Sequence, residues 1–463
     1  MAKSDENNLL LVESPDSVDK INAGFYGRFP YPWSPAKFEC LSDHRFNSDM
    51  LNQELGDWGH GLVKPDARIW VAGCGTNQAV FTALRFPDAT IVGSDVSSTS
   101  LEICGATARG LGIKNLELRQ ESLNHVSYRE QFDYVLCTGV IHHNADPRAT
   151  LERLSAALKP SGVMELMVYN RFHWVIPVAF QQAMRMLCSG HGEVSDFEGE
   201  LEVTRRIIKD APESLLLRTF LSRYDSESSE SMLADELLQP VMYSYTVDSL
   251  RDMAESCNLE VLLPCLNQFD RVAHTYSWNL KFKDEVARGL YESLPDERRW
   301  QIANLLLLEN SPMIWFYLQR ADSGRVRKSE RQVCEEFLDM IFAPASSTQS
   351  NFIRTEHGSY ERTPSTVPFP VAPPHASVRA IITAADGRTP MREIFARLGL
   401  GTDFHTVNGA RLRLTTPGFP YLRAVCAASA SDLSSVDTRQ LADDKFKKFK
   451  GVKPKAVRLV EPD

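Results

Sequence analysis

The sequence predicts an α/β fold with a mostly parallel seven-stranded sheet and helices on both of its faces. Three observations predict it. Five short apolar runs alternate with helical patterns between residues 68 and 169, a glycine turn separates the first run from the first helix, and two more apolar runs follow before residue 320. Such alternation is typical of strand–helix–strand units, in which the crossover helix makes neighbouring strands parallel.

The predicted strands are short and rich in aliphatic and aromatic residues. They cover residues 68–72, 90–95, 116–119, 134–138, 163–169, 259–263 and 313–318. Helices are predicted between the first five strands because apolar residues recur three and four positions apart, as at Leu151, Leu154 and Leu158. Residues 159–162 read Lys-Pro-Ser-Gly, which predicts a turn from the last of these helices into its strand.

Between the fifth and sixth strands the pattern becomes mostly helical. We expect residues 173–243 to form a helical insertion over the site, interrupted by a polar, serine-rich loop at 225–231. Thr246 or Asp248 is then expected to cap a helix that ends near Cys257. Residues 285–308 predict a further helical segment before the seventh strand.

The domain organisation predicted for the 463 residues has four parts. An N-terminal arm with an FPYP segment covers residues 1–52, and the main domain covers 53–320. A helix and a linker follow at 321–377, since six prolines occur among Ser and Thr between 344 and 374. Residues 378–463 predict a small accessory module, which begins with a helix, a DGRTP turn and a second helix over 378–399.

The composition is that of a globular protein. No apolar run approaches the 18 residues of a membrane span, and the polar start of the chain is unlike a secretory signal, so we expect a cytoplasmic protein without membrane contact. A formal net charge of −9 argues against a nucleic-acid partner. The basic stretch 445–455 is expected to be a solvated tail. No residues have metal-ligand spacing, and a homo-oligomer is left open.

The most informative segment is the glycine turn after the first strand. Gly73 and Gly75 allow backbone angles and a close ligand approach that a Cβ would prevent. Asp95 ends the second strand, where a carboxylate can accept hydrogen bonds from both ribose hydroxyls of a nucleoside. A dinucleotide would need a further glycine where the chain has Gln78, which weakens a nicotinamide cofactor without excluding it.

Together these segments resemble the class I S-adenosylmethionine (SAM)-dependent methyltransferases. The resemblance is carried by AGCGTNQAV, Asp95, FDYVLCTGVIHH and LERLSAALKPSGVMELMVYN, and it extends to SPMIWFYLQR as the family's last, antiparallel strand. FYGRFPYPW and SYTVDSL are similar to segments of a subset of that family. The chain departs from the family's GxGxG pattern at Asn77, which affects the geometry of the turn. The resemblance implies a class I methyltransferase-like fold, SAM as cofactor and S-adenosylhomocysteine (SAH) as product.

The resemblance also implies roles for the cofactor-binding residues. The methionine part of SAM would lie against Gly73, Cys74 and Gly75, the ribose on Asp95, the adenine beside Val96 with its amino group near Glu121 or Ser122, and the sulfonium near Thr138 and Gly139.

Several residues follow the strand ends where an acceptor would bind. A hydroxyl acceptor needs a base with a pKa near neutrality, and His142 or His143 could supply it, although either could instead cap the next helix or pack beneath the cofactor. The other expected neighbours of the acceptor are Tyr169, Asn170, His173, Tyr243 and Tyr245, together with a lid formed by Tyr26, Arg28, Tyr31 and Trp33, whose arginine would pair with the cofactor's carboxylate.

The function predicted from these observations is methyl transfer from SAM to a small organic molecule, such as a specialised metabolite. A first alternative is a peptide or protein methyltransferase that recognises its substrate through the C-terminal module. Alternatives from other classes are a non-catalytic SAM-binding protein and an NAD-dependent oxidoreductase, because the glycine turn and acidic strand end also occur in nicotinamide-dependent enzymes.

Overall fold

The central sheet has seven strands and matches the sequence prediction. The computed structural model describes residues 14–188, 197–210, 215–224, 228–267, 278–372 and 374–425. The sheet strands are β2 (Arg68–Ala72), β3 (Thr90–Asp95), β4 (Leu116–Gln120), β5 (Phe132–Thr138), β6 (Leu158–Tyr169), β7 (Leu259–Pro264) and β8 (Met313–Arg320). Their order is β4-β3-β2-β5-β6-β8-β7, with the first five parallel and β8 antiparallel to both of its neighbours. The predicted antiparallel final strand is therefore confirmed.

One predicted turn is wrong. Residues 159–162 belong to β6, which starts at Leu158 directly after the preceding helix, and Leu158 pairs with Phe132 across a register shift. The Lys-Pro-Ser-Gly composition favours a turn, but Pro160 and Gly162 lie at the irregular start of a strand, where such residues are tolerated.

Helices cover both faces of this sheet. They are α3 (Gln78–Arg85), α4 (Ser98–Gly110), α5 (Pro147–Ala157), α10 (Val247–Ser256), α11 (Glu285–Glu292) and α12 (Asp296–Leu307). Because side chains alternate along a strand, Ile69 and Val71 of β2 pack in the core beneath α3 and α4, whereas Trp70 and Ala72 pack in the core that contains α5, α10 and α12. The predicted cap at Thr246 is confirmed, since its side chain accepts a hydrogen bond from the Ser249 amide.

The N-terminal arm and the insertion form one helical cap. It consists of α1 (Pro15–Arg28), α6 (Arg171–Cys188), α7 (Phe197–Lys209), α8 (Leu215–Leu221) and α9 (Glu230–Leu237). Phe25 and Phe29 of the first helix are buried among Phe180, Phe220 and Leu233 of the insertion. The arm is therefore helical from Pro15 to Arg28. Of the predicted loop at 225–231, residues 225–227 lie outside the described residues, while Ser229 caps α9.

The predicted proline-rich linker is wrong. After α13 (Glu330–Asp339), strands β9 (Phe342–Pro344), β10 (Ser347–Arg354), β11 (Tyr360–Arg362) and β12 (Val367–Phe369) form instead. β10 pairs with β1 (Lys37–Leu41), which lies within the N-terminal arm and precedes α2 (Phe46–Glu54), and also with β11 and β12. Pro368 is accommodated because β12 pairs on only one side, so its missing N–H breaks no inner ladder.

The C-terminal part packs directly on the main domain. Its elements are α14 (Ala376–Ala384), α15 (Met391–Arg397), α16 (Phe404–Leu412), β13 (Thr415–Thr416), β14 (Phe419–Pro420) and β15 (Leu422–Ala424). The predicted helix, turn and helix over 378–399 are present, and Val378 and Phe395 belong to the same core cluster as Trp70. The basic tail at 445–455 lies outside the described residues. Among the helices that are described, none combines the length and apolarity that crossing a bilayer requires.

Candidate active site

A cavity of about 280 Å³ lies at the carboxyl ends of the parallel strands, beneath the helical cap. Ligands of open α/β sheets bind at this edge, where the strand order changes direction. The lining residues are Asp19, Asn22, Tyr26, Tyr31, Pro32, Gly73, Cys74, Gly75, Asn77, Gln78, Phe81, Asp95, Val96, Ser100, Glu121, Leu123, Thr138, Gly139, Val140, His143, Asn144, Met167, Tyr169, Asp235, Met313 and Trp315.

The glycine turn is fixed by packing as well as by backbone conformation. Gly73 and Gly75 have φ of 71° and 53°, which disfavour residues with a Cβ. A Cβ on Gly73 would lie 2.5 Å from a methyl group of Val140, and one on Gly75 would lie 2.6 Å from the carbonyl oxygen of Tyr31. The two glycines therefore let the turn fit between the loop after β5 and the N-terminal arm.

Asp95 ties the turn to the end of β3. Its two carboxylate oxygens accept hydrogen bonds from the amides of Gly75 and Ser97, each at 2.9 Å. Burial raises the pKa of this carboxyl, while these amides act in the opposite direction. A carboxylate has about four lone-pair positions, so Asp95 retains acceptor capacity on the cavity side for ribose hydroxyls.

The residues predicted to surround the adenine of the cofactor are partly confirmed as cavity residues. Val96 and Glu121 line the cavity, but Ser122 does not, because its hydroxyl donates to Asp19 of α1. The Tyr128 hydroxyl donates one shared hydrogen bond to the two carboxylate oxygens of Glu121, which lie 2.8 and 2.6 Å away, and so fixes this side chain at the end of β4.

The departure at Asn77 has a structural explanation. The Asn77 side-chain amide donates to the carbonyl of Trp33 at 3.0 Å, and the Thr76 amide donates to the carbonyl of Tyr31 at 3.1 Å. The Thr76 hydroxyl also donates to the Pro32 carbonyl. Where many family members have glycine, this chain has a side chain that holds the arm against the turn.

Gln78, at the start of α3, lines the cavity and links the glycine turn to the end of β5. Its side-chain amide donates to the hydroxyl of Thr138, at the end of β5. Thr138 and Gly139 both line the cavity, as predicted.

The two adjacent histidines are placed differently. His142 is fully buried and does not line the cavity; its ring lies 4.0 Å from that of Tyr169, and neither ring nitrogen has a hydrogen-bond partner among the described atoms. Burial, and then the neighbouring His143, hold the pKa of His142 well below 6.5. This placement corrects the expectation that His142 faces the acceptor.

His143 does line the cavity. Its Nδ1 lies 2.7 Å from the Val241 carbonyl, which can only accept, so Nδ1 carries the proton and Nε2 is left as an acceptor. Burial lowers the pKa of His143 to about 4, so the ring is neutral at physiological pH and a weak base.

Tyr169 lines the cavity, but Asn170 does not. The Asn170 amide donates to the carbonyls of Leu308 and Ser311, at 2.9 and 2.7 Å, and its oxygen accepts from Asn304 at 2.9 Å. The side chain therefore joins β6 to the loop before β8 and has no donor or acceptor directed at a ligand. The predicted acceptor-orienting role of Asn170 is corrected to a structural one.

His173, Tyr243 and Tyr245, which were also expected to border the acceptor, lie outside the cavity lining. The Tyr243 amide donates to the His142 carbonyl and the Tyr245 amide donates to the Tyr169 carbonyl, both at 2.9 Å, so this segment supports the lining residues from behind. His173, in the first turn of α6, does not line the cavity.

Of the four predicted lid residues, Tyr26 and Tyr31 line the cavity. Arg28 lies outside it, where its guanidinium pairs with Glu198 and, at 3.0 Å, with Glu230 of the cap. Trp33 is 58% exposed. The expected pairing of Arg28 with the cofactor's carboxylate is wrong, because α1 continues to Arg28 and directs this side chain toward the insertion.

Sequence reasoning missed the residues that the cap contributes. Asp19 and Asn22 of α1 line the cavity with Tyr26, at the three- and four-residue spacing of one helix face, and this spacing could have indicated them. Asn22 donates to the His143 carbonyl at 2.7 Å, while its side-chain oxygen is buried without a partner among the described atoms. Asp235 of α9 had no sequence signal. The strand residues Met167, Met313 and Trp315 were also missed.

The cavity is acidic. Its lining contains four carboxylates, Asp19, Asp95, Glu121 and Asp235, and among the described residues no Lys or Arg lines it. A cationic ligand is favoured in such a site, whereas the pyrophosphate of a dinucleotide would meet repulsion. The glycine turn, the acid at the end of β3 and this charge fit SAM, whose sulfonium is positive.

Comparisons with known proteins agree with this geometry. Residues 70–164 match the family model of a methyltransferase domain. The chain is 30% identical over 189 residues to the ubiquinone biosynthesis O-methyltransferase of Haemophilus ducreyi, covering 39% of this chain and 78% of that one. It is 26% identical over 301 residues to an uncharacterized protein of Synechococcus, covering 63% and 70%. The chain is 34% identical to the corresponding O-methyltransferase of Dinoroseobacter shibae, but it spans only 58% of the length of that protein.

Among solved structures, PKMT2 from Rickettsia typhi in complex with AdoHcy has the same fold. The TM-score is 0.53 at 15% identity, and the match covers 86% of this chain and 78% of that one. The match to a methyltransferase domain and to most of an O-methyltransferase rules against the oxidoreductase alternative. The chain belongs to the class I SAM-dependent methyltransferases, with SAM as its cofactor.

Proposed function

We propose that this enzyme transfers the methyl group of SAM to a small organic molecule that enters the cavity beneath the helical cap. The observation that carries the proposal is the limited volume of the cavity, about 280 Å³, together with its cover of α1 and α9 side chains. Small-molecule sites are concave pockets of this kind, with a few polar groups on an apolar and aromatic wall.

SAM supplies a methyl group that is already activated on a sulfonium, so the protein's contribution is mainly alignment of the acceptor, which can account for roughly 7–11 kcal/mol of a barrier. Gly73, Gly75 and Asp95 would hold the cofactor. Tyr26 and Tyr169, which both line the cavity, would orient the acceptor and exclude water.

Two further points support a small acceptor. Two of the three curated relatives named above are ubiquinone biosynthesis O-methyltransferases, a name that refers to a small organic product. The peptide or protein alternative assigned substrate recognition to the C-terminal module, but no described residue from 376 to 425 lines the cavity. That module instead packs on α2, where the Gln53 amide donates to the carbonyls of Thr415 and Leu422, each at 3.1 Å.

A labelling experiment separates the candidate functions. The purified enzyme is incubated with methyl-tritiated SAM and a cell extract divided by ultrafiltration into metabolites and proteins. We expect label in the metabolite fraction only. Label confined to the protein fraction would overturn the proposal in favour of a protein methyltransferase, and SAM binding by calorimetry without any SAH formation would support a non-catalytic protein.

The control for this experiment is Asp95→Ala, which removes the carboxylate at the end of β3 and should abolish labelling of either fraction. Deletion of the C-terminal module is a poor control, because Val378 and Phe395 are part of the main core and the shortened chain would be destabilised. We further propose that the enzyme acts without a nucleic-acid partner, in keeping with its net charge of −9.

A further inference from the structure

Asp235 is an unusual group in the cavity wall. It lies on α9, is 6% exposed, and is flanked by Leu233, Ala234 and Leu237, which are buried in the cap. Its carboxylate therefore does not reach bulk solvent and instead faces the cavity. Burying a carboxylate is unfavourable unless hydrogen bonds or a counter-charge compensate it.

The structure supplies only part of this compensation. The Tyr26 hydroxyl lowers the pKa of the Asp235 carboxyl, but by less than burial raises it. Within the described part of the chain, no Lys, Arg or His forms an ion pair with Asp235, and the charged group that acts on it most strongly is another acid, Glu236. The counter-charge that such a site favours is thus left for a ligand to provide.

The surroundings of Asp235 are aromatic. Tyr26 and Tyr31 come from the arm and Tyr169 from the end of β6, and all three line the same cavity. The faces of aromatic rings attract cations, and Tyr26 and Tyr31 can act in this way. The ring of Tyr169 packs between Trp174 and His142, with centroid distances of 3.9 and 4.0 Å, so this residue contributes its hydroxyl group instead. An acceptor with a carboxylate or phosphate at this position would be repelled by Asp235 and would find no basic side chain among the described lining residues.

We propose that Asp235, with Tyr26, Tyr31 and Tyr169 around it, binds the protonated amino group of a small acceptor. The inference rests on the proposed function and specifies its substrate class as an amine. Asp235 also provides a place for the proton that must leave. The ammonium N–H transfers its proton to the carboxylate oxygen, the nitrogen regains its lone pair, and that pair forms the N–C bond while the S–C electrons of bound SAM pass to sulfur.

Binding of matched probes tests the inference without knowledge of the natural acceptor. Benzylamine and benzyl alcohol have nearly the same shape and differ in charge, so each is titrated by NMR or calorimetry into the SAH-saturated enzyme. We expect benzylamine to bind the wild type about tenfold to a hundredfold more tightly, as a charge-assisted hydrogen bond in a buried site would provide. Asp235→Asn should abolish this preference.

Glu236→Gln is the matched control. It removes the same charge from the next position of α9, where the carboxylate accepts a hydrogen bond from Tyr224 at 2.5 Å and does not line the cavity. The preference for benzylamine should persist in this variant. Retained SAH affinity in both variants would show that they are folded.

Three outcomes would overturn the inference. The first is a wild type that does not favour the amine, whether both probes bind or neither does. The second is an equal loss of preference in Glu236→Gln. The third is a drop in SAH affinity of about tenfold or more in Asp235→Asn, because Asp235 would then hold the cofactor's own amino group. None of these outcomes affects the labelling test, so failure of the inference and failure of the proposed function are distinguishable.

Discussion

Substitution of Gly75 by alanine should weaken both the fold and cofactor binding. The residue has φ of 53°, and its Cβ would lie 2.6 Å from the Tyr31 carbonyl oxygen, closer than such contacts occur. Because that oxygen belongs to the backbone of the arm, no rotamer change relieves the clash. The arm must move, and the hydrogen bond from the Thr76 amide to the same oxygen, now 3.1 Å long, would be strained or lost.

The magnitude follows from these two effects. The left-handed conformation costs a residue with a Cβ about 1–2 kcal/mol, and loss of the hydrogen bond costs about 0.5–1.5 kcal/mol. We therefore expect Gly75→Ala to lower the free energy of unfolding by about 1.5–3.5 kcal/mol before any remaining steric strain is counted. Displacement of the turn should also weaken SAH binding by about tenfold or more.

Gly112→Ala separates the steric effect from the conformational one. Gly112 has φ of 72°, and a Cβ there would have no heavy atom within 4 Å. Denaturant unfolding and SAH calorimetry on both variants are the assays. Equal losses of unfolding free energy in the two variants, with the SAH affinity of Gly75→Ala unchanged, would refute the packing argument for this turn.

The remaining predictions address the arm, the corrected residues and pH. Asn77→Ala should loosen the arm and increase the SAH dissociation rate severalfold in stopped-flow experiments, and an unchanged rate would mean that its bond to Trp33 does not hold the arm. Arg28→Gln should change stability by less than about 1 kcal/mol and leave the SAH affinity unaltered, because its ion pairs are exposed; a large loss of affinity would restore its predicted role. Asn170→Ala should lower the unfolding free energy by about 1–3 kcal/mol by leaving buried carbonyls unpaired, with SAH binding retained by the folded fraction. Burial and the neighbouring Glu236 raise the pKa of Asp235 to about 7, so the unliganded fold is most stable while this carboxyl is protonated, and its free energy of unfolding should fall as the pH rises from about 4 to 7. The Asp235→Asn variant should lose less free energy of unfolding over this interval. Parallel curves of stability against pH for the two proteins would contradict the assignment.

The central sheet was predictable because its signals are local. The strands β2, β3, β5 and β6 are apolar runs, each followed by a helix, and the glycine turn lies between β2 and α3. The strands of residues 342–369 had no such signal. β10 is polar, and its register depends on β1, so that Asn351 pairs with Glu39 more than three hundred residues earlier in the chain. Pairing at this separation is not visible in composition, and proline content suggested a linker instead.

The candidate site divides along the same lines. The cofactor-binding residues sit in or next to the turn and at strand ends, so the motif spacing located most of them. For the adjacent His142 and His143 the sequence could not decide which one faces the cavity, because they lie in a short 3₁₀ turn and their directions depend on the packing of Tyr169. Asp235 reaches the cavity only because the helices of the insertion pack on α1, a tertiary arrangement without a local pattern.

The arm couples the two ends of the site. The peptide segment from Tyr31 to Trp33 accepts hydrogen bonds from Thr76 and Asn77 through its carbonyls, while the Tyr31 side chain lines the cavity with Asp235. The same few residues therefore support the cofactor turn and form part of the acceptor wall. A change in the turn should alter acceptor binding through the position of Tyr31, even when the changed residue does not contact the acceptor. In this chain Asn77, where the family pattern has glycine, strengthens that coupling by a hydrogen bond that glycine cannot make.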